Sequence, residues 1–434
     1  MAYKKLLFLF LSLSTMLVAN AQINSLTLFP ELPQYQQLHP AQMSVSKWTI
    51  ALPSITSQWS SQPLRFDDLV NDGKVNLSPQ LHQLVSNNSL HQETQIESIR
   101  LHFKPSENRQ WSVHHAFRTQ SQLLFSDLTA RFLYDELPLS SAERLPLMHD
   151  AQLLIHQEIG IGYTQEMLDG WSWSVRAKGL HGIAEAKSVR PDLTLLTSMD
   201  TKILSADYYL RGAAILEYDE FESIRGTADI LQILSDLARP NFGWALDFGG
   251  QARVGDWQMD VSLLDIGQLY WRKATTHYRF AGRFQNSGQA VLRAYLDGSS
   301  SFEMTTDSLR SLFAVIETNE AYTTWLPTRF ASTFRYDGLD RWSISGHLRT
   351  RWWMGDFQAV VGGGIRCTVA ECMQLGTTYF FSSTGHHQLG SQLVLKWKWG
   401  QFFVLSDQVG SIWNIRRQRQ SHFQIGGNLL LGME

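Results

Sequence analysis

Long runs of strict alternation between apolar and polar residues constrain this chain more than any other feature. Ile99, Leu101 and Phe103 alternate with Arg100, His102 and Lys104, and Trp171, Trp173 and Val175 with Ser172, Ser174 and Arg176. Trp342, Ile344, Leu348 and Trp352 fall opposite His347, Arg349 and Arg351. A period of two points neighbouring side chains to opposite faces, so each run is an antiparallel strand with one greasy and one polar side. Many runs reach about ten residues. Strands of soluble proteins average about 5–6, whereas a tilted strand needs about 9–11 to cross a bilayer. Trp171, Trp257, Tyr270, Trp271, Trp342, Trp352, Trp353, Trp397 and Trp399 gather at run ends, as interfacial belts require. A soluble sandwich would bury the greasy face, whereas a membrane barrel turns it to lipid and encloses the polar one. Length and aromatic placement select the barrel.

Candidate strands lie near 46–59, 93–104, 109–122, 151–166, 170–186, 203–217, 241–254, 256–271, 275–285, 326–337, 341–354, 356–368, 372–383, 387–398, 400–409 and 420–432. Some of these read as loop hairpins or broken strands. The expected fold is all-β: a transmembrane antiparallel β-barrel of about 14 strands, within a range of roughly 12–16, with short helices in its loops.

Three interruptions stand out. Residues 60–91 are polar and loop-like. Residues 227–239 carry a helical stripe, Ile230, Ile233, Leu234 and Leu237, capped by Thr227 and stopped by Pro240. Residues 287–325 hold a second stripe, Leu309, Leu312, Phe313 and Ile316. These helices either cap the pore and dock partners, or are packed excursions between strands.

The beginning of the chain reads as an export signal. Lys4 and Lys5 precede an apolar stretch from Leu6 to Leu13, and Ala19-Asn20-Ala21 completes a cleavage site before Gln22. Residues 1–21 are thus a signal peptide, 22–45 an N-terminal segment and candidate plug, and 46–434 the barrel. The expected location is the outer membrane, with its lipid as the immediate partner. The 37 basic and 40 acidic residues leave a net charge of −3, which excludes a nucleic-acid binder. Cys367 and Cys372 are the only cysteines, and their spacing suits a disulfide across the base of a hairpin or two free thiols.

No nucleotide, metalloprotease or serine-hydrolase motif occurs, so no catalytic residue, metal ligand or cofactor is nominated and the chain is not read as an enzyme. His114 and His115 fall on opposite strand faces and cannot share a metal. His386-His387 and the acidic group Asp219, Glu220 and Glu222 read as solvated loop residues. The informative constellation is the polar face itself. The lumen-lining candidates are Arg100, Arg176, Lys178, Asp247, Arg253, Asp260, Arg279, Arg283, Arg349 and Arg351, joined by Arg335, Arg366, Lys396, Lys398, Glu158 and Asp265. A cationic lumen would draw anionic solutes through its focused field. Alternatively, arginine–carboxylate ladders hold a closed lumen together. Gly160, Gly162, Gly249, Gly362 and Gly364 also lie on this face, where crowding favours the smallest residue.

Three stretches carry a family resemblance. They are His39-Pro40-Ala41 with Ile50 to Pro53 and Phe66 to Leu69; Phe242 to Gly249 with Ser262 to Gly267 and Trp271; and Gly400 to Val404 with Ser406-Asp407. Together they resemble a Bacteroidota family of outer-membrane β-barrels of unknown function, reminiscent of fatty-acid-transporter-like barrels. His39 departs from that pattern, where Asn is usual. The resemblance implies a barrel and transfers no catalytic residue. Two functions follow: a porin-like transport or channel protein for a small or amphipathic solute, anionic if the cationic lumen selects it; or a non-transporting envelope anchor or assembly component whose loops bind protein partners. The cationic reading predicts anion-selective conductance in planar bilayers; cation selectivity would remove it.

Overall fold

The computed structural model describes residues 25–71, 74–75, 78–133, 144–146, 148–168, 170–198, 201–214, 241–285, 314–353, 356–383, 387–410 and 418–432. Fourteen antiparallel strands close into a barrel. The first is broken at Leu52-Pro53 into Trp48–Ala51 and Ser54–Gln62. Asn88–Ser106, Arg109–Phe125, Met148–Leu168, Trp171–Ser198, Phe242–Val254, Trp257–Trp271 and Thr328–Leu339 follow around the wall. Trp342–Trp353, Asp356–Ala370, Met373–Ser382, His387–Trp397, Gly400–Ser406 and Gln420–Leu431 complete it. The seam closes with Trp48 opposite Leu431 and Ile55 opposite Ile425. Closure leaves no free edge, the condition for a sheet surrounded by hydrocarbon.

Tight turns at 106–109, 168–171, 254–257, 339–342, 370–373 and 397–400 all lie at the end where the first strand begins and the last finishes. Most longer connections lie at the opposite end. There the 28-residue strand Trp171–Ser198 outgrows the barrel. Its first half pairs with Phe242–Val254 and its second half with Thr201–Ala214. Thr201–Ala214 in turn pairs with Thr275–Gln285, and that strand with Ala314–Thr318. The candidate strands at 203–217 and 275–285 therefore build a projecting sheet, not the wall. Residues 314–318 are strand and not helix, which corrects the end of the second stripe. The rest of that stripe and the whole of 227–239 lie outside the described residues, as do Asp219, Glu220, Glu222 and His386. The segment 60–91 is not all loop: it holds the end of a strand, a short helix Phe66–Leu69 and a 3-10 turn Ser78–Gln83.

The greasy face points outward. Ile159 and Val361, near mid-wall, are 57% and 53% exposed. Around the tight-turn end Trp48 stacks on Phe103 (ring centroids 4.3 Å apart) and Trp257 on Phe334 (4.7 Å). Trp111 and Tyr163 meet at 4.9 Å. Near the other end Trp352 packs on Phe357 at 5.2 Å. Ten residues separate Trp342 from Trp352 on one strand. At about 3.3 Å per residue and a tilt of about 40°, the two aromatic rings stand about 25 Å apart, the height of a lipid-facing band. No helix among the described residues is long and apolar enough to cross a membrane.

An arginine in this band tests the orientation. Val361→Arg is expected to cost about 2–4 kcal/mol in lipid vesicles. Val45→Arg, at an exposed site beyond the strands, is expected to cost nothing measurable. Urea unfolding followed by tryptophan fluorescence measures both.

Candidate functional site

Inside the wall lies the N-terminal segment. Ser25–Leu28 and Pro33–Gln37 form two 3-10 turns, the second started by Pro33, and nearly every residue from 25 to 41 is buried. Its apolar residues Leu26, Leu28, Phe29, Leu32 and Leu38 form a core with Val394, Phe403 and Leu405 of the wall. Those three wall residues face inward because the segment, not water, lies against them. Glycines make room for it. A Cβ on Gly249 would stand 2.8 Å from Pro40 Cγ, and one on Gly364 or Gly376 2.8 Å from a Leu28 methyl. Such distances are closer than real Cβ contacts allow, so glycine at these positions fits the passage of the segment.

Polar ties hold the segment on all sides. The Ser25 N–H donates to Asp407 at 2.7 Å, Gln34 to Asn428 at 2.8 Å, Tyr35 Oη to Asp260 at 2.9 Å and Gln37 to Glu97 at 3.2 Å. His39 uses both ring nitrogens, with Ser262 Oγ at 3.1 Å and Thr333 Oγ1 at 2.9 Å. Thr164 and Ser172 donate to the Pro40 and Ala41 carbonyls. Arg176 Nη2 donates to the Gln36 carbonyl at 2.7 Å. Glu31 accepts from Arg366 at 2.9 Å and from Lys396 at 2.8 Å, and Arg366 also reaches the Leu28 carbonyl. Burial, aided by Arg349 and Arg335, holds His39 down at about 4 despite Asp260. Burial alone would raise Glu31, but Arg366 and Lys396 outweigh it and hold the carboxyl at about 2.

Deeper in the barrel, toward the long connections, wall side chains form an ionic layer. Asp265 accepts from Arg118 (3.1 Å), Lys178 (2.5 Å) and Arg329 (2.5 Å). Asp247 pairs with Arg176 at 3.2 Å and Lys178 at 2.8 Å; Glu158 with Arg118 at 3.1 Å and His114 at 3.1 Å. Asp265 has φ +60°, at an irregularity in the pairing of Phe242–Val254 with Trp257–Trp271, and its N–H donates to Asp247. Lys178 and Arg176 stand in register with Gly160 and Gly162. Nearer the long-connection end, Leu154, Leu180, Leu269, Trp271, Leu326 and Trp353 form an inward apolar cluster, with Tyr322 against it.

Arg100, Arg176, Lys178, Asp247, Asp260, Arg349 and Arg351 are all buried. Arg100 pairs with Glu97 at 2.6 Å, and Arg351 with Glu93 at 3.5 Å and His91 at 2.9 Å. Arg253 instead lies exposed at a tight turn. Arg279 lies exposed on the projecting sheet, paired with Asp207 at 2.9 Å, and Arg283 belongs to that same strand. That strand lies outside the lumen, so alternation along it no longer reports on the interior. Sequence reading missed Arg118 and Arg329, although the run from Trp111 to Phe117 already places Arg118 on the polar side. It also missed Glu93, Glu97, Glu185 and Asp407, acids that offset the cations. Among the described residues eight buried bases (Arg100, Arg118, Arg176, Lys178, Arg329, Arg335, Arg349 and Arg351) face seven buried acids (Glu97, Glu158, Glu185, Asp247, Asp260, Asp265 and Asp407). The resting interior is therefore close to neutral. Cys367 and Cys372 are both free thiols, the first half-buried and the second exposed at its turn.

Two outcomes follow. Asp265→Asn leaves three buried cations sharing a neutral acceptor, and a loss of about 3–5 kcal/mol in unfolding free energy is expected. Seating of the N-terminal segment should weaken in acid. Neutral His39 is the seated form, so its contribution is complete above pH 6.5 and falls as pH drops toward 4. Ionised Glu31 acts with the same sign between 4.5 and about 2. Protease cleavage within residues 25–45 as a function of pH measures this; cleavage unchanged from pH 7 to 4 would contradict it.

Solved barrels similar to this chain include three outer-membrane proteins. The toluene transporter TbuX of Ralstonia pickettii is 8% identical with a TM-score of 0.43, over 92% of this chain and 92% of that one. The toluene transporter TodX of Pseudomonas putida is 7% identical with a TM-score of 0.43, again over 92% of each. A Pseudomonas aeruginosa FadL homologue is 7% identical with a TM-score of 0.44, over 94% of this chain and 96% of that one. No curated protein matches the sequence. Residues 40–407 match the family described as "Family of unknown function (DUF5723)", and the chain belongs to that family.

Proposed function

We propose that this chain is an exported outer-membrane barrel that passes a small or amphipathic solute, with residues 22–45 acting as a movable plug. One observation carries the reading. Residues 25–41 belong to no wall strand, yet they lie buried inside the barrel at the tight-turn end, packed on Val394, Phe403 and Leu405. That segment joins the barrel covalently only where it enters the first strand at Trp48. Elsewhere it is held by apolar contacts, hydrogen bonds and the Glu31 ion pairs. Each such bond contributes about 0.5–1.5 kcal/mol net, so the segment is retained collectively and released collectively. The band of outward apolar residues between two aromatic rings supports an outer-membrane location, as does the leader sequence. Short turns then face the periplasm and long connections the exterior.

The envelope-anchor reading also has an observation in its favour. The Asp265 layer is built from wall side chains and stands across the lumen beyond the plug. A barrel kept shut by that layer would serve its loops alone.

Conductance separates the two. Wild-type protein in planar bilayers is expected to be closed with rare openings. Deleting residues 25–45 from the mature chain is expected to give a sustained conductance while the protein still shifts on a gel after boiling. A folded, plug-deleted barrel that stays silent overturns transport and leaves the anchor.

A further inference from the structure

Between the predicted cleavage site and Lys47 the chain carries a single charged side chain other than histidine, Glu31. It is not spent on solvent. Arg366 and Lys396 come from two wall strands separated by a third, and both converge on this one carboxylate at 2.9 and 2.8 Å. Arg366 keeps a second acid, Asp337 at 3.3 Å, which Arg335 shares at 2.8 Å. Lys396 has Glu31 as its ion-pair partner. If the plug shifts, the wall therefore presents an under-neutralised pair of cations, and a partly buried cation without an acceptor is costly. The site is also reachable. Glu31, Arg366 and Lys396 are 18%, 15% and 24% exposed, against 6% or less for the side chains of the Lys178–Asp265–Arg118 group. A shallow cleft lined by Pro30, Glu31, Gln36, Met43 and His102 opens beside it.

We infer that Arg366 and Lys396 form a carboxylate-binding site near the tight-turn end of the lumen, which Glu31 of the plug occupies at rest and a solute carboxylate takes when the plug moves. The inference rests on the plug reading and adds the ligand's chemical class. A guanidinium and an ammonium converging on one carboxylate favour that group, since the planar fork matches its two oxygens. The plug then works as a tethered competitor: it neutralises the site when seated and leaves it free when displaced.

Propionate, which reproduces the side chain of Glu31, is the probe. Binding to detergent-solubilised protein, followed by the relaxation of isotope-labelled propionate, is expected to be about tenfold tighter in Glu31→Gln than in wild type, because the internal competitor is gone. Adding Arg366→Gln and Lys396→Gln to that variant should abolish binding, with the boiling shift retained as proof of folding. Chloride at matched ionic strength should not displace propionate. Equal binding in wild type and Glu31→Gln, or binding that survives loss of both cations, overturns the inference. Because this readout needs no conduction, its failure with a conducting plug-deleted barrel removes the site alone. Silence of the plug-deleted barrel removes the plug reading and leaves the binding result to stand by itself.

Discussion

Backbone N–H and C=O groups cannot remain unpaired in hydrocarbon, and that constraint shapes everything else in this molecule. A helix satisfies it within one segment; a sheet satisfies it only by closing on itself. Here closure joins Trp48–Ala51 to Gln420–Leu431, the first wall strand to the last. Once the sheet is closed, alternation splits its side chains into two populations. One faces lipid and must be apolar; the other is enclosed with whatever fills the lumen.

The enclosed population meets that demand by three different means. At the tight-turn end a peptide segment supplies leucines for an apolar core and polar groups for the wall's donors and acceptors. In the middle the wall supplies its own partners, with Asp265, Asp247 and Glu158 among Arg118, Arg176, Lys178 and Arg329. Nearer the long connections the inward residues become apolar and aromatic, around Trp271 and Trp353. A buried ion group of this kind offsets its own mutual attraction with a large desolvation cost, because removing charges from water costs several kcal/mol per ion. The segment differs from the other two fillings in belonging to no wall strand.

Much of the fold could be read from the residues. The outward face of Trp171, Trp257 and Trp342 and the burial of Arg100, Arg176 and Lys178 follow from period-two alternation. Reading failed where a strand's surroundings changed along its length. Arg279 sits on a run that alternates well, but its strand pairs above the barrel, where both faces lie outside the lumen. Glu97, one of the missed acids, escaped for a related reason. The register shift between Glu97 and Ile99 breaks the alternation at the point where Glu97 turns to Arg100.

The sequence by itself determined direction: which side chains turn to lipid, which are enclosed, and roughly how many strands the chain can supply. These are local properties, because a strand's pleat fixes the facing of each residue relative to its neighbour. Tertiary structure alone decided partnership. Glu31 meets Arg366 and Lys396, and Tyr35 meets Asp260, across hundreds of residues of chain. Such encounters depend on strand register and on where the segment enters the closed wall, and no periodicity within a single strand records either.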